Sequence, residues 1–494
     1  MGTTETTTTT TGSSRAPRAK PVGPIGGTPE QQAFLDNVAS EFEIDKDHLI
    51  KIRDHYLIEM QKGLDHEDQT LAMIPSYVEG RLTGQEKGNY LALDLGGTNL
   101  RVVLVCLEGN GKFKTTSMKS RLTDELKTGS MRNLCDYIAD CIDSFLTEQN
   151  LTDQHLDLGY TFSFPVLQTS INRGILKHWT KGFSCTGAAG KDPVMQLQDA
   201  LLRKQIPVRV AAIVNDTVGT LLSNAYSKPQ TLAGMILGTG ANGAYIERMN
   251  KIGKWKGGET THPEMIINME LGSFDNERRV LPVTRFDNKV DRESINPHSQ
   301  IYEKMVSGMY LGEIARNVLL ELIDRELLFG PKDSQFNPNA NCKHISRHYA
   351  FETEYMSRIE ADDGDLRATR ELLDLNLDLK VTEVEARIFK RVCEMVGRRA
   401  ARLAACGIAA IVQHCEVDPT EGADIGIDGS LYEFYPCFEE RIYEALEVLL
   451  PDISNVRSVV RLGLAKDGSG VGAALTACVA ARMAETRQQK KRAT

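Results

Sequence analysis

The sequence lacks the features of several protein classes. It has no run of 18 apolar residues, so no transmembrane helix is predicted, and its N-terminus has no apolar segment of the signal-peptide type. Its 58 Lys and Arg residues face 67 Asp and Glu residues, a net charge of −9, so bulk charge does not attract nucleic acid or an anionic membrane. We therefore expect neither nucleic-acid binding nor membrane insertion.

Cysteine pairs of the zinc-ribbon type are also missing. The ten cysteines form no Cys-x-x-Cys motif, and several of them, such as Cys106 and Cys406, lie in apolar stretches. This pattern favours buried free thiols in a reducing compartment. We predict a cytoplasmic protein in which no metal ion is held by the chain alone.

The 494 residues exceed the usual length of one domain, about 150 residues, by roughly threefold. Residues 1–28 are rich in Thr and then in Pro and Gly, which predicts a disordered tail. Apolar residues at helical spacing predict two helices after it. From residue 89 onward, three strands joined by short turns are followed by helices and further strands, and the same order recurs from residue 233. The duplication predicts an α/β protein with two lobes.

Glycine-rich turns follow apolar strands in both copies. The first reads Asp94-Leu95-Gly96-Gly97-Thr98-Asn99, and the second is 238–243, GTGANG. Such turns can direct backbone N–H groups at a phosphate, although a single one is more often an ordinary hairpin turn. The second turn matches G-x-G-x-x-G, but a strand follows it where a dinucleotide site requires a helix. No P-loop motif is present.

Several polar residues are unremarkable when taken singly. Asp216 follows an apolar strand and opens a helix, where Asp is most often a plain N-cap. Glu270 and Glu303 could be ordinary surface or capping acids, and Trp179 could be a packing residue. Their position on the chain alone does not assign them a function.

Together these segments resemble the hexokinase family, in the same order and at similar spacing. The segments are LALDLGGTNLRVVLV, LGYTFSFPVLQTSINRGILKHWTKGF, IVNDTVGT, ILGTGANGAY, INMELGSFDN and IGIDGS. The resemblance covers about residues 40–485, and Tyr160 stands where the family usually has Phe. It implies an actin-like, ribonuclease H-like fold made of a duplicated βββαβ unit, with the active site in a cleft between two lobes.

The resemblance also implies a division of the chain and roles for residues. After the tail, N-terminal helices (29–80) would pack on the large lobe, followed by a small lobe (81–216), the large lobe (217–463) and a C-terminal helix (464–494) returning to the small lobe. Asp216 would be the general base, with Lys181 also catalytic. The sugar ligands would be Ser163, Thr180, Lys181, Asn215, Asp216, Asn242, Glu270, Gln300 and Glu303. The nucleotide ligands would be Asp94, Gly96, Gly97, Thr98, Asn99, Arg101, Lys119, Thr239, Gly240, Gly429 and Ser430.

The activity that the resemblance implies is phosphorylation of a hexose, above all D-glucose, at its 6-hydroxyl. The cofactor would be MgATP, with Mg²⁺ held mainly by the nucleotide phosphates and water. The partners would be glucose or a related hexose and ATP, and the protein would be a monomer or a weak homodimer. Two alternatives stay open: an ATPase of the actin or Hsp70 type, and a glucose-sensing homologue with a regulatory role.

Overall fold

The computed structural model describes residues 5–7, 24–179, 182–330, 342–465 and 467–493. In these ranges the strands are β1 (Glu5–Thr7), β2 (Ile74–Glu79), β3 (Lys87–Leu95), β4 (Asn99–Gly109), β5 (Lys112–Arg121), β6 (Leu156–Thr161), β7 (Val166–Ser170), β8 (Arg173–Leu176), β9 (Val208–Val214), β10 (Thr231–Leu237), β11 (Ala241–Arg248), β12 (Glu264–Asn268), β13 (Ala423–Asp428) and β14 (Val460–Leu464).

The α-helices alternate with these strands. They are α1 (Pro29–Phe42), α2 (Lys46–Asp65), α3 (Asp124–Thr128), α4 (Met131–Glu148), α5 (Pro193–Arg203), α6 (Asp216–Ser227), α7 (Arg285–Glu293), α8 (Ile301–Val306), α9 (Gly308–Asp324), α10 (Thr353–Ala361), α11 (Arg367–Leu377), α12 (Glu383–His414), α13 (Ser430–Phe434), α14 (Phe438–Leu449), α15 (Val456–Val459) and α16 (Gly468–Ala493). Among the described helices, none has both the length and the apolar character needed to cross a bilayer.

Two six-stranded sheets share one plan. The first has the order β1-β5-β4-β3-β6-β9, in which β3, β4 and β5 form an antiparallel meander and β6 and β9 continue it in parallel with β3. The second has the order β14-β13-β10-β11-β12-β2, with an antiparallel meander of β10, β11 and β12 and with β13 and β14 parallel to β10. The predicted duplicated α/β architecture is confirmed.

Both faces of each meander are buried. On β3, Leu91 and Leu93 belong to a core shared with α4 and α5, whereas Ala92 belongs to a core shared with α16. Successive side chains of a strand point to opposite faces, so a run such as YLALDL needs a cover on each side. In the second sheet, α6 covers one face and the large core around α12 lies on the other.

The N-terminal helices pack against the second sheet's helical layer. Thr28 caps α1 in a capping box with Gln31, and Asp45 caps α2 by accepting the His48 N–H. Buried residues of α2 contact α12 and α14. The chain then adds β2 to the edge of the second sheet, antiparallel to β12. Sequence periodicity did not predict this strand.

The structure differs from the predicted disordered tail at three residues. Glu5–Thr7 form β1, which pairs with residues 115–117 of β5. Thr is β-branched and favours strands, and a sheet edge offers unpaired backbone groups. Residues 24–28 have no regular structure, and residues 1–4 and 8–23 lie outside the described ranges.

Helices α6 and α16 cross at glycines, with the backbones in direct contact. A Cβ on Gly472 would lie 2.1 Å from the carbonyl oxygen of Gly219, and a Cβ on Gly219 would lie 2.7 Å from that of Gly468. Helix α6 packs on the second sheet and α16 packs on the first. This crossing therefore joins the two sheets, and side chains at these positions would push them apart.

We expect Gly472→Ala to destabilise the protein. In an exposed helix, replacing Gly with Ala increases the stability by up to about 1 kcal/mol. Here the added methyl group meets backbone that cannot move away, and such overpacking lowers the stability by about 1–3 kcal/mol. Thermal melts measure the effect. Gly407→Ala in α12 is the control, because the atom nearest to its added Cβ is 3.7 Å away. Equal melting temperatures for the two variants would contradict the close crossing.

Candidate active site

The carboxyl ends of three parallel strands in the first sheet form one row. Asp94 of β3 is opposite Thr161 of β6, and Thr161 is opposite Val214 of β9. Ser163 and Asn215 follow this row directly. Parallel strands end at the same edge of a sheet, so these predicted site residues come together there.

The beginning of α16 is bonded to this edge. The Ser469 hydroxyl donates to Asp94 Oδ2 at 2.9 Å, and the Thr161 hydroxyl donates to the Ser469 carbonyl at 2.8 Å. Arg101 forms a two-bond ion pair with Asp467, at 2.6 and 2.8 Å. Sequence reasoning assigned Arg101 to the nucleotide and missed Asp467 and Ser469, although both stand in a further glycine-rich segment, 467–472, DGSGVG.

The first glycine-rich turn is a tight connection between β3 and β4. The Gly96 N–H donates to the Asn99 carbonyl at 3.0 Å, and the Asn99 side-chain amide donates to the Thr98 hydroxyl at 2.9 Å. Gly97 completes the turn. Lys119 of β5 is the partner of Arg101 in the sheet register, so its exposed side chain lies on a strand beside this turn.

The second glycine-rich turn is held by backbone bonds to α9. The Gly238 carbonyl accepts from the Gly308 N–H at 2.7 Å, and the Thr239 carbonyl accepts from the Met309 N–H at 3.1 Å. Gly240 closes the turn through its carbonyl, which accepts from Gly238 N–H at 3.0 Å. These bonds fix the backbone of the turn.

The end of β13 lies against the second turn. Gly429 has φ of +130°, and a Cβ there would be 2.4 Å from the Leu237 carbonyl. Only glycine allows so close an approach in this conformation. Gly429 and Ser430, the predicted adenosine contacts, are therefore next to the turn that carries Thr239 and Gly240.

Two asparagines orient Glu270. The Asn242 amide donates to Asn268 Oδ1 at 3.0 Å, and the Asn268 amide donates to Glu270 Oε1 at 2.7 Å. Asn242 Oδ1 in turn accepts from the Leu271 N–H at 3.2 Å. Sequence reasoning missed Asn268, which is visible only as part of the INMELG segment. The chain fixes the Glu270 carboxylate through this relay.

Glu303 and Gln300 lie at the start of α8. Glu303 Oε2 accepts from the Ala241 N–H at 3.1 Å, beside the second turn. The Gln300 amide donates to the Ser273 hydroxyl at 3.0 Å, so it supports the loop that follows Glu270. These contacts bring both residues to the second sheet's part of the site.

Asp216 lies within electrostatic range of two groups of carboxylates. Burial raises the pKa of Glu270, the Asn268 bond lowers it, and the charges of Asp216 and Glu303 raise it further. Burial also raises the pKa of Asp428 at the end of β13, and the charges of Asp467 and Asp216 add to that rise. The charge of Asp216 therefore raises the pKa of Glu270, beside the Asn242 relay, and the pKa of Asp428, beside the glycine turns.

Asp216 is held at the first turn of α6. Asn215 is the N-cap, and its Oδ1 accepts from the Thr217 N–H at 2.9 Å. Asp216 Oδ1 accepts from the same N–H at 2.9 Å. The positive end of the helix stabilises the Asp216 carboxylate. It therefore serves both as a first-turn acid of α6 and as a charged group of the site.

Aromatic packing fixes the position of Trp179. Trp179 packs edge-on to Phe164 at 4.9 Å between ring centroids and stacks with Phe183 at 5.3 Å, and its Nε1 donates to the Cys185 carbonyl. Thr180 and Lys181, predicted as sugar ligands, lie outside the described residues.

Comparison with known proteins identifies the family of the chain. Two family models, both described as Hexokinase, match residues 34–226 and 232–479. The chain belongs to the hexokinase family. It is therefore a hexokinase or glucokinase, an enzyme that phosphorylates hexoses with ATP.

Individual relatives match over nearly their whole length. A hexokinase from Kluyveromyces lactis is 42% identical over 447 residues, 89% of this chain and 90% of that protein. A glucokinase from Aspergillus niger is 39% identical over 93% of this chain and 99% of its own. The structure of Schistosoma mansoni hexokinase complexed with glucose has a TM-score of 0.79 at 36% identity, covering 90% of this chain and 99% of that one. The predicted actin-like sugar-kinase fold is thus confirmed.

We expect Glu270→Gln to stabilise the protein at pH 8 and to have little effect near pH 4.5. A carboxyl group whose pKa is raised on folding costs stability as pH rises above its ordinary value, because the unfolded chain loses its proton first. Thermal melts at both pH values measure this dependence.

Glu264→Gln is the matched control on the strand that precedes Glu270. The ion pair with Arg81, at 2.8 Å, lowers the pKa of Glu264, so its contribution is present at pH 8 and is lost as pH falls. This variant should lose stability at pH 8. If both variants changed the melting temperature at pH 8 in the same direction, the result would contradict the electrostatic account of the site.

Proposed function

We propose that this hexokinase transfers the γ-phosphoryl group of ATP to the 6-hydroxyl of a hexose, with D-glucose as the preferred substrate and Asp216 as general base. The observation that supports it is the position of Asp216 in the first turn of α6, within electrostatic range of both Glu270 and Asp428. A base for this reaction must contact the attacking hydroxyl and lie near the phosphoryl group. The Asp216 carboxylate would accept the hydroxyl proton as the oxygen attacks phosphorus.

The sugar would bind on the Asp216 side that faces the Asn242–Asn268–Glu270 relay. Sugar hydroxyls both donate and accept hydrogen bonds, so carboxylates and amides match them. The proposed ligands are Ser163, Thr180, Lys181, Asn215, Asn242, Glu270, Gln300 and Glu303. The fixed Glu270 carboxylate would accept from two hydroxyls, and its raised pKa would return toward the usual range as bound hydroxyls donate to it. The glucose complex of the Schistosoma mansoni relative supports glucose as substrate.

The nucleotide would bind on the other side of Asp216. The turns at 94–99 and 238–240 would place backbone N–H groups toward the phosphates, and Gly429 and Ser430 would contact adenosine. Asp94, Asp216 and Asp428 offer carboxylate oxygens, the ligand type that Mg²⁺ prefers, and a hydrated ion would fit between them and the phosphates. Bound Mg²⁺ supplies neutralisation of phosphate charge. Asp94, already oriented by Ser469, would hold one of its waters.

The Arg101–Asp467 pair gives the first turn a second support. A two-bond guanidinium–carboxylate pair fixes both partners, so Arg101 would position the start of α16 beside the phosphates. Lys119 would add positive charge from the neighbouring strand. We also propose the division into a small lobe, built on the first sheet, and a large lobe, built on the second, with the sugar bound between them. A reducing compartment such as the cytoplasm suits the ten free cysteines.

We expect Asp216→Asn to lower kcat by about 10²–10⁴-fold, the usual contribution of a general base, with little change in the Kd for glucose. Asn retains the shape of Asp and can accept hydrogen bonds, but it cannot take a proton. A coupled assay with MgATP gives kcat, and calorimetry gives the Kd.

Asp192→Asn is the control for this measurement. Asp192 caps α5, which packs on β8 and β9, and Asn also serves as an N-cap. This variant should keep full activity. Turnover of Asp216→Asn at the wild-type rate would exclude Asp216 as the base.

We expect saturating glucose to change the intrinsic fluorescence through Trp179. This residue is adjacent to Thr180 and Lys181, and Trp255 is the one other tryptophan in the sequence. The fluorescence change should persist in Trp255→Phe and disappear in Trp179→Phe. A response carried by Trp255 would place the sugar elsewhere.

A further inference from the structure

A cavity of about 470 Å³ lies among α1, α12 and α14, and its walls contain none of the proposed active-site residues. Six arginines line it: Arg391, Arg398, Arg399, Arg402, Arg441 and Arg457. The volume is in the range of small-molecule sites in proteins. So many guanidinium groups around one cavity need a physical explanation.

The two most deeply placed arginines are fixed by buried acids. Arg399 chelates Asp287 through both terminal nitrogens, at 2.6 and 2.7 Å, and Arg441 pairs with Glu360. Each still has one buried nitrogen without a hydrogen-bond partner among the described residues, Nε of Arg399 and Nη1 of Arg441. The Arg399 side chain is fully buried, so this N–H group is closed to water and equally to a ligand, and the two inner arginines contribute positive charge to the cavity rather than free donors.

Arg402 repeats this pattern one turn of α12 further along. Its terminal nitrogens bond to the Ile44 carbonyl and to Glu43, at 3.1 Å for the latter, whereas its buried Nε has no partner in the described part of the chain. Three arginines of one cavity thus each have an unsatisfied donor.

The other three arginines of the cavity are held only by weak interactions. Arg398 is half-exposed and lies 4.0 Å from Glu444, and Arg391 lies 3.3 Å from Glu394. Arg457 stacks on the ring of Tyr443 at 4.0 Å and has no carboxylate within ion-pair distance among the residues that the structure describes. Exposed ion pairs contribute little to stability, so these three side chains can turn to a ligand at small cost.

Four glutamates also line the cavity: Glu43, Glu394, Glu440 and Glu444. They balance much of the arginine charge when no ligand is bound, which explains how the cavity tolerates six guanidinium groups. A single carboxylate would gain little over these internal partners. A ligand with several anionic oxygens would gain more, because phosphate accepts two parallel bonds from each guanidinium group.

The preference for phosphate rests on the arginines and not on the N-terminus of α14. The first turn of this helix carries Glu439 and Glu440, and its Phe438 N–H donates to the Tyr435 carbonyl at 3.3 Å. We propose that the cavity among α1, α12 and α14 is a binding site for a small polyphosphorylated molecule, separate from the active site.

Binding of inorganic pyrophosphate to the full chain, measured by isothermal titration calorimetry without Mg²⁺, tests this proposal. Arg398→Gln combined with Arg457→Gln should weaken one binding event by about tenfold or more, because two phosphate contacts are removed. Both residues are exposed, so the fold should persist, and thermal melts check this. Arg391→Gln is a second variant with the same expected direction.

Arg358→Gln is the matched control. Arg358 is an equally exposed arginine with a similarly weak ion pair, 3.8 Å from Glu354, and it lies outside the cavity wall. It should bind pyrophosphate as the wild type does. The proposal is overturned if the wild type shows no binding at millimolar pyrophosphate. Equal binding by all variants also overturns it, since pyrophosphate would then occupy only the active-site turns.

Discussion

The backbone contact between α6 and α16 is the constraint on which the rest of the site depends. Asp216 is the first residue of α6, and Ser469 and Asp467 are at the beginning of α16. The glycines at the crossing let the two helices approach until their N-terminal turns lie together. The positive ends of both helices and the carboxyl ends of both sheets therefore meet at one place, which is where anionic phosphates and a charged base are best stabilised.

Bringing these groups together also places several carboxylates close to one another, which costs electrostatic free energy. Glu270, Glu303 and Asp216 repel one another, and burial adds to the rise in the pKa of Glu270. The fold compensates with directed hydrogen bonds, of which the Asn242–Asn268–Glu270 relay is the clearest. In the proposed complex a sugar would bring donors into this acceptor-rich region, so part of its binding energy would come from relief of the repulsion among these carboxylates.

The duplicated plan could be predicted because each copy has strong local signals. The strands around Asp94 and Gly238 are continuous apolar runs bounded by glycine turns, and strand order follows from chain order. Elements that depend on distant partners could not be predicted in this way. The edge strand β2 exists because β12 offers it an edge, and residues 456–459 form a helical turn although their sequence favours a strand.

The candidate site residues show the same difference between local sequence signals and distant partners. The polar residues in glycine turns and at strand ends could be found from spacing and family resemblance. The partners that orient them could not, because the Arg101–Asp467 pair joins residues 366 positions apart. The arginine-lined cavity has no local pattern at all, since its walls come from four helices, α1, α12, α14 and α15, that meet only in the folded chain.

Each of the two crossing helices covers the sheet of the other repeat. Helix α6 follows the first sheet in the chain yet covers the second, and α16 follows the second sheet yet covers the first. Each repeat can therefore shield only one face of its own strands. A chain cut in the short loop between α6 and β10 would leave each fragment with an uncovered apolar face, so the halves should be insoluble apart and should reassemble only when produced together.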